Sequence, residues 1–91
     1  MKLADDQCPA LVRGVRLQSD PQTGQPMLLF PEGVIHLSET ANDILLRCDG
    51  KTPLESLISG LAEAYEVDPS TLRQDVRECL LQLAEHHLVS W

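Results

Sequence analysis

Residues 28–38, Leu28-Leu29-Phe30-Pro31-Glu32-Gly33-Val34-Ile35-His36-Leu37-Ser38, hold two apolar runs divided by Pro31-Glu32-Gly33. Pro31 has no amide proton for a ladder and Gly33 tolerates positive φ, so the tripeptide predicts a turn between strands Met27–Phe30 and Val34–Leu37. Met27–Phe30 is apolar on both faces, and Val34–Leu37 is broken only by His36. Neither run shows one-sided burial, so something must cover the second face. Upstream, Val12–Gln18 alternates Val15 and Leu17 with Arg16 and Gln18, the pattern of a half-buried strand interrupted by Gly14. Ser19–Pro26 (SDPQTGQP) is dense in turn formers, and a hairpin is expected across it.

Helix signals follow. Ser38 predicts the N-cap of a helix with Ala41, Ile44, Leu45 and Cys48 on one face and Gly50 as the terminating residue. Thr52-Pro53-Leu54-Glu55 reads as a capping box with proline at the first helical position, ahead of a stripe of Leu54, Leu57, Ile58, Leu61, Ala62 and Tyr65. Asp68-Pro69 repeats the start signal, with Val67 expected to pack on Leu72 as a hydrophobic staple. The third helix carries Leu72, Val76, Cys79, Leu80 and Leu83 toward His87, after which Leu88–Trp91 trails off extended. The element order predicts an α+β fold, winged helix-turn-helix-like, with a three-stranded antiparallel sheet followed by three helices. Residues 1–10 are expected to be a flexible N-terminal tail, and residues 11–91 a single domain.

A chain of 91 residues supports one modest core, and its 43% hydrophobic content suits a globular domain. No apolar run approaches the roughly 20 residues of a membrane span. MKLADDQCP has no apolar segment of the kind a secretory signal needs. A formal charge of -7 disfavours binding to nucleic-acid backbones. Cys8, Cys48 and Cys79 are odd in number and form no CxxC pair, so neither a disulfide framework nor a zinc site is indicated, and a cytoplasmic location fits.

Catalysis needs groups that converge, and none do here. His86 and His87 project about 100° apart on a helix and cannot share a metal as an i, i+4 pair can. Cys48 and Cys79 fall on apolar stripes and read as packing residues. Asp49-Gly50 supplies one carboxylate before Lys51, too little for a calcium loop. The five glycines form no phosphate-binding loop. The expectation is no enzyme, no catalytic residue, no metal and no cofactor.

LLFPEG, Leu37-Ser38-Glu39-Thr40-Ala41, Ile44-Leu45 and Cys48-Asp49-Gly50-Lys51-Thr52 together resemble the pyrroloquinoline quinone biosynthesis protein D family over about Leu11 to Val89. Phe30 stands where that family often has Tyr, and Ser38 where Asn is common; each change keeps an aromatic or a cap. The resemblance implies a recognition element for ribosomally made peptides: a peptide chaperone in PQQ cofactor biosynthesis. Such a chaperone binds a small precursor peptide and presents it to a radical S-adenosylmethionine enzyme that crosslinks a Glu and a Tyr. It also implies that the leader peptide adds as a strand beside the third strand and lies against the third helix.

The expected edge is Val34, Ile35, His36 and Leu37, which an incoming strand would extend. On the third helix, Arg73, Arg77, Leu81 and Ala84 form a stripe beside the core stripe. Val76, Leu80 and Leu81 are expected to meet apolar peptide side chains, and Arg73 and Arg77 peptide carboxylates. One alternative is a winged-helix DNA-binding regulator, but Asp75, Glu78 and Glu85 offset the two arginines. Another is a structural partner of the radical enzyme without peptide contact. An exposed edge also permits a homodimer. Glu63, Glu66, Asp75 and Glu78 suit either an enzyme contact or a solvated acidic face.

Overall fold

The structure, a computed structural model, describes residues 2–91. Three strands, β2 (Arg16–Ser19), β3 (Pro26–Phe30) and β4 (Gly33–His36), form an antiparallel sheet in the order β2-β3-β4. The turn at Pro31-Glu32 sets the register Phe30↔Gly33, Leu29↔Val34, Leu28↔Ile35 and Met27↔His36. Three helices follow: α1 (Glu39–Leu46), α2 (Leu54–Tyr65) and α3 (Pro69–Glu85). The expected α+β order is present. A second sheet was not expected: β1 (Ala10–Leu11) pairs antiparallel with β5 (Val89–Ser90) at the end of the chain.

One apolar core joins these layers. Leu28 from the sheet, Ile44 and Leu45 from α1, Leu54, Leu57, Ile58 and Leu61 from α2, and Val76 and Leu80 from α3 pack together with Leu88 and Val89. No polar or charged side chain is buried among the described residues. The core is therefore held by apolar burial, worth about 1.5–3 kcal/mol for each fully covered aliphatic side chain. Met27–Phe30 obtains its second layer from the helices, with α1 lying against β2 and β3.

The helix starts separate local from long-range causes. Ser38 caps α1 as expected, its Oγ accepting the Ala41 amide at 3.1 Å. Asp68 caps α3 with proline just inside, its Oδ1 accepting the Ser70 amide at 2.9 Å. The start of α2 differs. Thr52 donates its hydroxyl to Asp49 at 3.0 Å, Pro53 occupies the cap position, and no side chain caps the helix. The Leu54 and Glu55 amides instead bond the carbonyls of Gln7 and Asp5 at 2.8 and 3.0 Å. An N-terminal helix turn always has donors without intrahelical acceptors, and here carbonyls of the remote N-terminal segment accept them.

A flexible tail was expected over residues 1–10; the structure places residues 2–10 in contact with the helices, and only Met1 lies outside the described residues. Leu3 is 1% exposed, within the core cluster. Arg73 bonds Asp5 at 2.7 Å, Arg77 donates to the Leu3 carbonyl, and the Trp91 indole donates to the Lys2 carbonyl at 2.7 Å. Gly50 was expected to end the first helix, but α1 stops at Leu46. Gly50 instead receives the segment: its amide bonds the Pro9 carbonyl at 3.0 Å. With φ at +75° and a Cβ that would lie 3.3 Å from that of Ala10, this position is made for glycine.

Candidate functional site

β4 is the edge of its sheet, and alternation decides which of its groups are free. The Leu37 amide bonds the Pro26 carbonyl at 2.9 Å, so in an antiparallel ladder Leu37 and Ile35 face β3. Val34 and His36 then direct their N–H and C=O groups outward, unpaired among the described residues. Their side chains occupy one face, where Val34 is 47% exposed; Ile35 and Leu37 take the other, Ile35 half-buried and Leu37 6% exposed. The edge is thus a backbone template with an apolar inner side.

An apolar hollow of about 440 Å³ adjoins that inner side. Phe30 and Ile35 border it from the sheet, Val12 and Val15 from the turn before β2, and His86 and His87 from the end of α3. His87 closes the helix: it takes a left-handed φ of 59°, and its amide and that of Leu88 bond the carbonyls of Ala84 and Leu83. Arg13 and Glu32 stand at the same hollow with opposite charges. On the outer face, His36 Nε2 lies 3.4 Å from Asp20 Oδ2. The Asp20 carboxyl sits below its ordinary value, chiefly because it accepts the Gln22 amide, an effect that desolvation partly opposes and the His36 hydrogen bond reinforces to a smaller extent.

The structure divides the expected site residues. Val34, Ile35 and His36 are together at the open edge. Leu37 is buried and turned to β3, and Val76 and Leu80 are 1% and 0% exposed, inside the core. Val76 and Leu80 are covered because α3 packs on α2 and β5, and Leu37 because its side chain lies on the inner face of the sheet within the core. Arg73, Arg77 and Leu81 do share a face of α3 and line one shallow depression there. Both arginines reach residues 3 and 5 of the N-terminal segment, so they are already engaged within the chain. No β4 residue lines that depression.

Sequence reasoning overlooked Val12, Val15, Phe30, His86 and His87 as a group. Phe30 beside the Pro31-Glu32 turn and two histidines just past the helical stripe were the available signals, but nothing local brings them together. Cys48 is confirmed as a packing residue: its thiol donates to the Ile44 carbonyl at 3.3 Å, and burial pushes its pKa up to about 12. Burial also raises the Cys79 thiol. Neither thiol is activated as a nucleophile.

Residues 27–89 match the family described as coenzyme PQQ synthesis protein D (PqqD). A PqqA binding protein of Xanthomonas campestris pv. campestris is 37% identical over 87 residues, spanning 96% of this chain and 95% of its own length. A PqqA binding protein of Methylococcus capsulatus is 39% identical over 80 residues, 88% of this chain and 84% of its own length. Among solved structures, the NMR structure of the PqqD truncation of Methylobacterium extorquens PqqCD superposes with a TM-score of 0.85 at 28% identity, covering 99% of this chain and 96% of that one. That protein is described as a functional, stand-alone recognition element for ribosomally synthesized and post-translationally modified peptides. The crystal structure of PqqD from Xanthomonas campestris superposes with a TM-score of 0.62 at 36% identity, covering 99% and 100% of the two chains.

Proposed function

The chain belongs to the coenzyme PQQ synthesis protein D family, and from that premise we propose that it binds a PqqA-type precursor peptide by strand addition to β4. The observation that carries this reading is the open edge at Val34 and His36 beside an apolar hollow. A peptide strand laid there completes the two N–H and two C=O groups facing outward, and its residue opposite Ile35 points toward the hollow. Magnitudes favour a combined mode. Four hydrogen bonds at a net of about 1 kcal/mol each do not exceed an association cost of about 4–15 kcal/mol, so apolar side chains must add to them. The role is recognition without catalysis: the bound peptide is held extended for a radical S-adenosylmethionine enzyme that crosslinks its Glu and Tyr, in the cytoplasm. Ile35 and the rim of the hollow select the peptide. The DNA-binding alternative is weakened because the N-terminal segment engages Arg73 and Arg77. A homodimer joined through β4 would compete with the peptide for the same groups.

The test is a titration of isotope-labelled protein with the synthetic precursor peptide in the absence of the enzyme. Saturable amide shifts are expected at residues 33–37 and around His86 and His87. If no amide shifts at high peptide concentration, direct recognition fails and a scaffold for the enzyme becomes the better account. A steeply salt-dependent affinity for duplex DNA would instead restore the regulator.

A further inference from the structure

A second hollow, of about 430 Å³, lies beyond the first and is lined by Val12, Ala84, His87, Val89, Ser90 and Trp91. The two hollows share Val12 and His87. They therefore adjoin at these two residues, the first hollow lying at the inner side of β4 and the end of α3 and the second against Trp91. The second compartment is walled mainly by apolar side chains. Its far wall is fixed in orientation, because the Trp91 indole is tied to the Lys2 carbonyl at 2.7 Å. The ring is half-buried and leaves part of its surface open to the hollow.

We infer that this compartment is a second peptide subsite, taking an apolar side chain from the part of the precursor peptide that continues past the strand on β4. The inference rests on the proposed peptide-binding function and adds to it a binding determinant outside the sheet edge. β4 is four residues long, so it can align only about as many peptide residues. A longer peptide must leave the ladder, and the second hollow meets the first at Val12 and His87, within reach of its next residues. His87 in its left-handed conformation is the ridge between the two compartments. Trp91 would act through contact with the peptide rather than through the fold of the edge.

Trp91 is the chain's one tryptophan, so its indole N–H gives a single resonance in labelled protein. Titration with unlabelled full-length precursor peptide is expected to shift that resonance with the same concentration dependence as the Val34 and His36 amides, and to produce intermolecular contacts between an apolar peptide side chain and the indole ring. Trp91→Ala should lower affinity about tenfold. Trp91→Phe, which keeps a ring but loses the bond to Lys2, should stay within about threefold of the original affinity and so separates contact from tethering. Saturation at β4 with an unmoved indole, or undiminished affinity in folded Trp91→Ala, would overturn the second subsite and leave the proposed function standing. Absence of shifts at both places would overturn the proposed function and the subsite with it. An indole shift driven by protein concentration without peptide would assign the hollow to a second copy of the chain and overturn the inference.

Discussion

Two segments of this molecule meet the rest of the chain in opposite ways: the N-terminal residues 2–11, which turn at Asp5-Asp6, and strand β4. In the first, the carbonyls of Lys2, Leu3, Asp5, Gln7 and Pro9 each accept a hydrogen bond from another element, and Leu3 is sunk in the core. In the second, the backbone polar groups of Val34 and His36 face outward without partners among the described residues. The contrast shows that a segment outside the helices and the main sheet can still be part of the packed structure. Whether it is fixed depends on what lies beside it. Residues 2–11 meet the unsatisfied amides of α2, two arginines of α3 and an apolar seat, whereas β4 meets an open edge and a hollow. The fold packs one segment of its own against the helices and leaves an open edge at β4.

The sharpest way to break this comparison is Leu3→Ala. If residues 2–11 are part of the core, the substitution should cost about 2–5 kcal/mol in chemical denaturation. A tail would give no change. Next, His36→Pro removes an amide that the β3 ladder does not use, so the fold should survive with a modest loss in Tm. Peptide affinity, measured by calorimetry, should fall at least about tenfold. The same substitution made at Ile35 would remove a ladder amide and damage the sheet itself, which distinguishes the two edges of the strand.

Arg77→Glu sharpens the contrast from the other side. Arg77 donates to the Leu3 carbonyl, so the charge reversal should lower stability by about 1–3 kcal/mol while leaving peptide affinity within about twofold. A large loss of affinity with intact stability would return this residue to the peptide site that its helical spacing suggested. The smallest effect is expected on acidification. Asp49 and Asp68 are held below their ordinary 3.8, Asp49 mainly by the Lys51 amide and Asp68 mainly by the Ser70 amide. Their contribution to stability is full above that ordinary value and is lost as pH falls through the lowered folded values. Denaturation midpoints should therefore begin to drop below about pH 4, and Asp49→Asn with Asp68→Asn should flatten that part of the profile. Both groups are solvent-exposed, so the change should be slight.

The features legible in the sequence are those settled within a few residues. The Pro31-Glu32-Gly33 turn, the Ser38 cap, the Asp68-Pro69 start and the 3.6-residue stripes of α2 and α3 depend on neighbours close in the chain, and the order of strands and helices follows from them. Family membership was equally legible, because it rests on motifs at fixed spacing. The features that were not legible lie between residues far apart in the chain. Thr52 looks like a cap until Asp49 takes its hydroxyl and Gln7 and Asp5 take the amides it would have satisfied. Arg73 and Arg77 look free until residues 3 and 5 arrive across the helix. Val76 and Leu80 lie on the stripe next to Arg73, Arg77 and Leu81, and only packing shows that they belong wholly to the core. Helical or strand periodicity states which residues share a face; it cannot state what covers that face, because the covering group comes from another part of the chain and is chosen by the free energy of the whole packed arrangement.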